Sequence, residues 1–281
     1  MGKEHGRDVD GGGLASVRMP AFYIPHGAGP CFFMDWNPAD AWHGTAAFLR
    51  GISATLPARP RAIALVSGHW LEPRFSVTGQ ARPPLVFDYY GFPRHTYQLE
   101  YPAPGSPELA ARMVELLGQG GTDARIDGER GFDHGVFIPL KLMFPGADIP
   151  VVQLSLRADL EPHAHLDAGR ALAPLREEGV LVVGSGMSFH NMRGYGDTRY
   201  TAVSAGFDAW LSAAVESPSP RREERLANWT EAPGARLCHP PRAEEHLVPL
   251  MVAAGAAGDS TGRKVYSEQI METTISAFRF E

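Results

Sequence analysis

Apolar positions along this chain follow two rhythms. Unbroken apolar runs, the mark of strands buried on both faces, occupy 21–25, 61–67, 149–156 and 180–183. A further strand is predicted over 75–79, and the alternation over 273–280 predicts a final one. Helical spacing appears between them. Over 39–56, Trp42, Ala46, Leu49 and Ile52 can share one face, and Pro57 and Pro60 stop the pattern. Ser106 as N-cap and Pro107 at the first position open a helix over 107–117, closed by Gly118-Gln119-Gly120-Gly121. Helices are also predicted over 164–178, over 202–215 with Phe207, Trp210 and Leu211 facing the core, and over 244–257 with His246 in the first turn. A polar break at 218–225 leads into a short helix. Strands alternating with helices predict an α/β fold, with a mainly parallel or mixed central sheet flanked by helices. The stretch 83–105 is rich in Pro and Tyr and lacks a period, which predicts a long irregular loop of functional rather than scaffolding character.

Composition adds bounds. The 281 residues are 44% hydrophobic and 21% charged, which is ordinary for a soluble globular protein. One large domain or two closely packed halves fits this length; a single domain over 19–281 is expected, preceded by a mobile leader over 1–18. A net charge of −6 without a Lys/Arg run argues against nucleic acid and membrane surfaces as partners. No stretch is apolar enough to span a bilayer or direct export, so the cytoplasm is the default compartment. Cys31 and Cys238 are too few for a disulfide framework and are expected as buried thiols.

Candidate chemistry lies in five histidines: His26 in Tyr-Ile-Pro-His-Gly, His69 in Ser-Gly-His-Trp, His134 in Phe-Asp-His-Gly, His190 in Gly-Ser-Gly-Met-Ser-Phe-His-Asn, and His246 in Arg-Ala-Glu-Glu-His-Leu. His26, His69 and His190 each follow an apolar run. Ligands of open α/β sheets bind beyond the carboxyl ends of the strands, where such residues converge. Gly27, Gly68, Gly135 and Gly186 beside them permit close backbone approach. One such histidine is usually structural; the constellation points to a metal-dependent enzyme, because imidazole both binds transition metals and moves protons near neutral pH. The remaining histidines lack the pattern. His5 is in the leader, His43, His163 and His165 are expected on solvated helix faces, His239 is placed to support the site, and His95 lies in the aromatic loop.

These motifs, taken in order with Phe87-Asp88-Tyr89-Tyr90-Gly91-Phe92-Pro93, Tyr97 and Tyr101-Pro102-Ala103-Pro104-Gly105, resemble the 4,5-DOPA extradiol dioxygenase-like group of the class III (LigB-type) extradiol ring-cleavage dioxygenases. The resemblance runs from about Met19 to the C-terminus. It implies an α/β fold and a non-haem metal, iron(II) in most members and zinc in some preparations. It also implies a catechol-type small molecule and dioxygen as reactants. By position, His26, His69 and His246 match the metal ligands, His190 the acid/base, and His134 a second histidine touching substrate or oxygen. Two departures are visible. Relatives often carry Ser-His-Gly-Ser-Pro where this chain has Pro25-His26-Gly27-Ala28-Gly29-Pro30, and Ser-Ala-His-Trp where it has Gly68. The larger class often uses a glutamate as third ligand, and Glu245 directly precedes His246. The match to the DOPA-like branch favours His246, and neighbours on a helix point about 100° apart, so one of the two should face the metal. Tyr90, Phe92, Tyr97 and Arg94 are the candidate substrate contacts of the aromatic loop. Competing readings are a zinc-dependent hydrolase on the same histidines and a non-enzymatic binding protein of the superfamily. DOPA, caffeate, protocatechuate and simple catechols all fit.

Overall fold

The computed structural model describes residues 17–281. Residues 1–16, with His5 and most of the expected leader, lie outside it. Arg18 is already tied to the body, pairing with Glu177 at 2.6 Å.

Eight strands form one mixed sheet: β1 (Ala21–Pro25), β2 (Ala62–Glu72), β3 (Phe75–Thr78), β4 (Ala124–Asp127), β5 (Val151–Arg157), β6 (Val180–Gly186), β7 (Gly262–Ile270) and β8 (Thr273–Phe280), in the order β4-β3-β5-β2-β6-β1-β8-β7. The four apolar runs make its parallel centre, β5-β2-β6-β1. The antiparallel pair β8-β7 flanks one side, and β3, antiparallel to β5, flanks the other.

Helices found among the described residues are α1 (His43–Gly51), α2 (Pro107–Gln119), α3 (His134–Met143), α4 (Pro162–Leu172), α5 (Pro174–Glu177), α6 (Thr201–Val215), α7 (Arg221–Ala227), α8 (Ala235–Cys238) and α9 (Pro249–Ala256). None is long and apolar enough to cross a membrane. They cover both sheet faces, which is why the central strands read as continuous apolar runs. Successive strand residues point to opposite faces. Phe22, Ile24, Ile63, Leu65, Leu181 and Val183 pack under α1 and α3. Their neighbours Ala62, Ala64, Val66 and Val180 pack under α2, α4 and α9.

Several elements depart from the sequence pattern for identifiable reasons. The helix expected over 164–178 breaks into α4 and α5, since Pro174 cannot continue the hydrogen-bond ladder. The helix expected over 244–257 begins only at Pro249, at its favoured first-turn position, and His246 lies in the turn before it. His165, expected on a solvated face, is fully buried instead. Its Nδ1 lies 2.7 Å from the Glu161 carbonyl, and its Nε2 accepts the Arg157 backbone N–H at 3.0 Å. One imidazole thereby satisfies backbone groups on both sides of the β5–α4 turn.

Candidate metal centre

All five candidate histidines lie at the carboxyl end of the parallel strands. His26 directly follows β1 and donates its backbone N–H to Gly186 at 3.2 Å. His69 lies inside β2, which runs on to Glu72 instead of ending at 67. The β2–β5 register shifts between Val66 and Leu71, so Gly68 and His69 sit in an irregular stretch of the ladder. His134 is the first residue of α3, behind the N-cap Asp133. His190 follows β6, its N–H bonded to the Cys238 carbonyl at 3.0 Å. The turn carrying His246 is pinned through its carbonyl, which accepts from Tyr23 Oη at 2.6 Å and from the Met187 N–H at 3.0 Å. This turn lies directly on β6. A Cβ at Gly186 would stand 2.0 Å from the His246 carbonyl oxygen, so only glycine allows the approach.

One nitrogen each from His26, His69 and His246 lies within 4.8 Å of the other two. The Nε2 atoms of His69 and His246 are 3.1 Å apart. His26 Nε2 is buried with no hydrogen-bond partner. The opposite ring nitrogens are engaged: Nδ1 of His26 is 3.0 Å from the Gly27 carbonyl, Nδ1 of His246 is 3.0 Å from Glu245 Oε1, and Nδ1 of His69 is 3.6 Å from Asp88 Oδ2. Burial, followed by the charges of neighbouring histidines, holds all three imidazoles well below the usual histidine range. They are neutral at pH 7, as metal ligands must be. A single N–H between His69 and His246 would leave His26 Nε2 unsatisfied. A divalent cation with nitrogen affinity satisfies all three, and Nδ1 contacts of this kind orient metal-binding imidazoles. The residues present therefore fit a metal.

Two carboxylates back the cluster. Asp88 Oδ1 accepts both Nδ1–H and the backbone N–H of His134, at 2.7 and 3.0 Å. Burial alone would raise the Asp88 carboxyl, but its bonds to His134 outweigh that and lower it. Glu245 is pushed up by burial and lies behind His246, with Oε1 also 3.6 Å from His190 Nδ1. Because 244–248 is a turn, the helical spacing argument for choosing between Glu245 and His246 does not apply; their mutual contact is the relevant geometry. His190 stacks on His246 with ring centroids 3.4 Å apart. Its Nδ1 is buried and, beyond that 3.6 Å contact, makes no hydrogen bond; burial, then His134, lowers the ring to about 4. Fully buried Asp133 accepts from Ser67 Oγ at 2.7 Å and from Gln153, fastening the start of α3 to β2 and β5.

The histidines floor a cavity of about 320 Å³. Phe92 lines it, but the other loop candidates do not. Tyr90 is 91% exposed and Arg94 is also exposed, each on the outer side of the turn around Gly91. Tyr97 packs on Phe87 and Tyr89, with its hydroxyl 3.3 Å from the Tyr89 carbonyl. The period-free loop sequence could not separate these inward and outward positions. His95 reaches the Phe33 carbonyl at 3.1 Å, away from the cavity. His239, wholly buried, has Nε2 2.9 Å from the Ser188 carbonyl and so steadies the approach to His190. Residues the sequence reading missed are Asp88, hidden in the Phe-Asp-Tyr-Tyr motif, and the wall formed by Trp36, Trp42, Met192, Tyr195 and Met271.

Comparison with known proteins agrees with this picture. The family described as "Catalytic LigB subunit of aromatic ring-opening dioxygenase" matches residues 20–279. The chain is 39% identical to the 4,5-DOPA dioxygenase extradiol of Beta vulgaris, covering 85% of this chain and 87% of that protein. It is 37% identical to the protein of that name from Escherichia coli K12, over 86% and 87%. It is also 37% identical to the dioxygenase tasH of Hapsidospora irregularis, over 94% and 87%. Among solved structures, the uncharacterized protein JW3007 of Escherichia coli K12 superposes with a TM-score of 0.74 at 30% identity, covering 94% of this chain and all of that one.

Proposed function

The chain belongs to the LigB family of aromatic ring-opening dioxygenases, and from that premise we propose that residues 19–281 form one catalytic domain that opens a catechol-type ring with dioxygen at an iron(II) centre held by His26, His69 and His246. The observation that carries this reading is the convergence of three neutral imidazoles on one point, two buried and His69 half-buried, with His26 Nε2 unspent, at the floor of a ligand-sized cavity. Glu245 supports His246 as third ligand, since its carboxyl contacts His246 Nδ1 and leaves Nε2 facing His69. Bound iron(II) would supply the redox chemistry that dioxygen requires and that zinc lacks.

The protein's own part is positioning and proton transfer. His190 is neutral near pH 7 and lines the cavity, with Glu245 3.6 Å behind its Nδ1, so it can take a proton from a substrate hydroxyl and return it later. His134 is held through Nδ1 by Asp88, and with both ring nitrogens protonated it would donate from the other one to substrate or oxygen and steady negative charge developing there.

The test is anaerobic loading with iron(II), then admission of air with a panel of catechols, following absorbance and oxygen consumption together. A yellow ring-opened product formed with matching oxygen uptake is expected. Confirmed iron binding without oxygen uptake on any catechol, alongside hydrolysis by the zinc-loaded protein, would replace this reading with a zinc hydrolase.

A further inference from the structure

Resting on that reading, we infer that the substrate's ring carries an uncharged, apolar substituent, and that the site discriminates against catechols bearing a carboxylate or an amino-acid side chain. Beyond the histidines, the cavity wall includes Trp36, Trp42, Phe92, Met192, Tyr195 and Met271, and among the described residues no Lys, Arg, Asp or Glu lines it. Two cations of the surrounding elements are engaged elsewhere, and Arg193, beside Met192, is exposed and absent from the wall. Arg130 contacts Asp133 at 3.4 Å and lies 5.4 Å over the Trp70 ring, and Lys141 donates to the Glu100 carbonyl at 2.8 Å. Arg94, the side chain best suited by type to a carboxylate, is exposed and absent from the wall. A carboxylate brought into this space would lose its hydration and meet no counter-charge. Of the polar handles in the wall, Tyr195 Oη is spent on the Phe189 carbonyl at 2.9 Å, and the one left without a hydrogen-bond partner, Trp42 Nε1, is an uncharged donor.

The apolar surface continues outward. Met192 lines the cavity while 70% exposed, so a flexible thioether stands at its mouth. Methionine adapts to varied apolar shapes, and the aromatic side chains supply flat surface for a substituent to stack on. Neutral alkyl, aryl or ester groups match this wall.

Pairs that differ in charge and by one methyl group test the effect: 3,4-dihydroxyphenylacetate against its methyl ester, and caffeate against its methyl ester. Anaerobic binding to the iron-loaded protein is read by tryptophan fluorescence, since Trp36 and Trp42 are in the wall; air then gives kcat/KM. The esters should lead by about tenfold or more in both readouts. Met192→Lys, at an exposed position, should move the preference several-fold toward the acids at unchanged iron content. Acids binding as tightly as esters, or DOPA outcompeting both, would overturn the inference even if oxygen uptake is normal. Preferential ester binding with no oxygen uptake would sustain the charge preference and remove the dioxygenase reading instead.

Discussion

His190 and His246 lie ring upon ring, yet their surroundings give them different chemistry. His246 has Nδ1 against Glu245 and Nε2 against His69, so both nitrogens are held and the ring cannot turn freely. His190 makes no hydrogen bond through its buried Nδ1, which has only a 3.6 Å contact with Glu245, and this suits a group that changes protonation state. This contrast predicts separable losses. His190→Ala should retain iron close to the parent level and lose about 100-fold or more in kcat, the usual scale for removing a general acid/base. His69→Ala should lose the iron itself, because two remaining imidazoles cannot hold it at the same affinity. Iron per protein chain, measured beside single-turnover rates, checks both. Equal loss of iron in the two variants would mean that His190 is part of the ligand set.

Turns and strand ends, more than helices, set the positions of these rings. The turn 246–249 is laid on β6 at Gly184 and Gly186, where added Cβ atoms would meet the Pro249 and His246 carbonyl oxygens at 2.3 and 2.0 Å. Gly186→Ala must therefore push the turn away, at a cost of about 1–3 kcal/mol in stability and with weakened iron retention. Gly118→Ala, inside α2 with open space around it, should be neutral or slightly stabilising. Urea unfolding and iron titration of both variants compare the two glycines, and an unperturbed Gly186→Ala would refute the packing argument. The same elements explain what could be read in advance. The central strands were legible because both faces are covered, and α2 was legible because its cap and first-turn proline are local signals. By contrast, α3 is buried on all sides, so it has no helical period, and it contains Pro139. The edge strand β7 hid behind exposed polar and charged residues such as Arg263, Ser267 and Gln269, a common protection for sheet edges. For the site, Gly-His motifs at strand ends marked the histidines that the fold brings together. The apolar wall was illegible because Trp36, Met192 and Met271 come from separate irregular segments that only tertiary folding assembles.

The sheet closes on itself in sequence terms: β1 pairs with β6 on one side and with the last strand, β8, on the other. Fully buried Arg176 reinforces this closure, donating to the Met19 and Phe280 carbonyls at 2.7 and 3.3 Å and to Ala256 at 2.9 Å. One cooperative unfolding transition is therefore expected, and its pH dependence should be set largely by buried histidines. His165 is lowered to about 4 and His239 to about 3, burial being the main cause in each. In the unfolded chain both return to about 6.5. Between those values the unfolded state binds more protons, so their contribution is complete above about pH 6.5 and is lost as pH falls toward 4 and 3. For His165 the full loss is on the order of 3 kcal/mol, a large part of the roughly 5–15 kcal/mol that stabilises a typical domain. Asp133 and Glu245, raised by burial, act in the opposite sense: their burial costs stability when ionised, and part of that is recovered on acidification. The histidines set the net direction between pH 7 and 5, because six imidazoles are lowered by burial and these two carboxyls offset only part of that. The urea midpoint should therefore fall from pH 7 to pH 5. His165→Gln should be less stable at pH 7, having lost the rigid ring that meets the Arg157 N–H and the Glu161 carbonyl at once, but its midpoint should fall less steeply with acidification. Parallel pH slopes for parent and variant would show that His165 is not the proton-linked group.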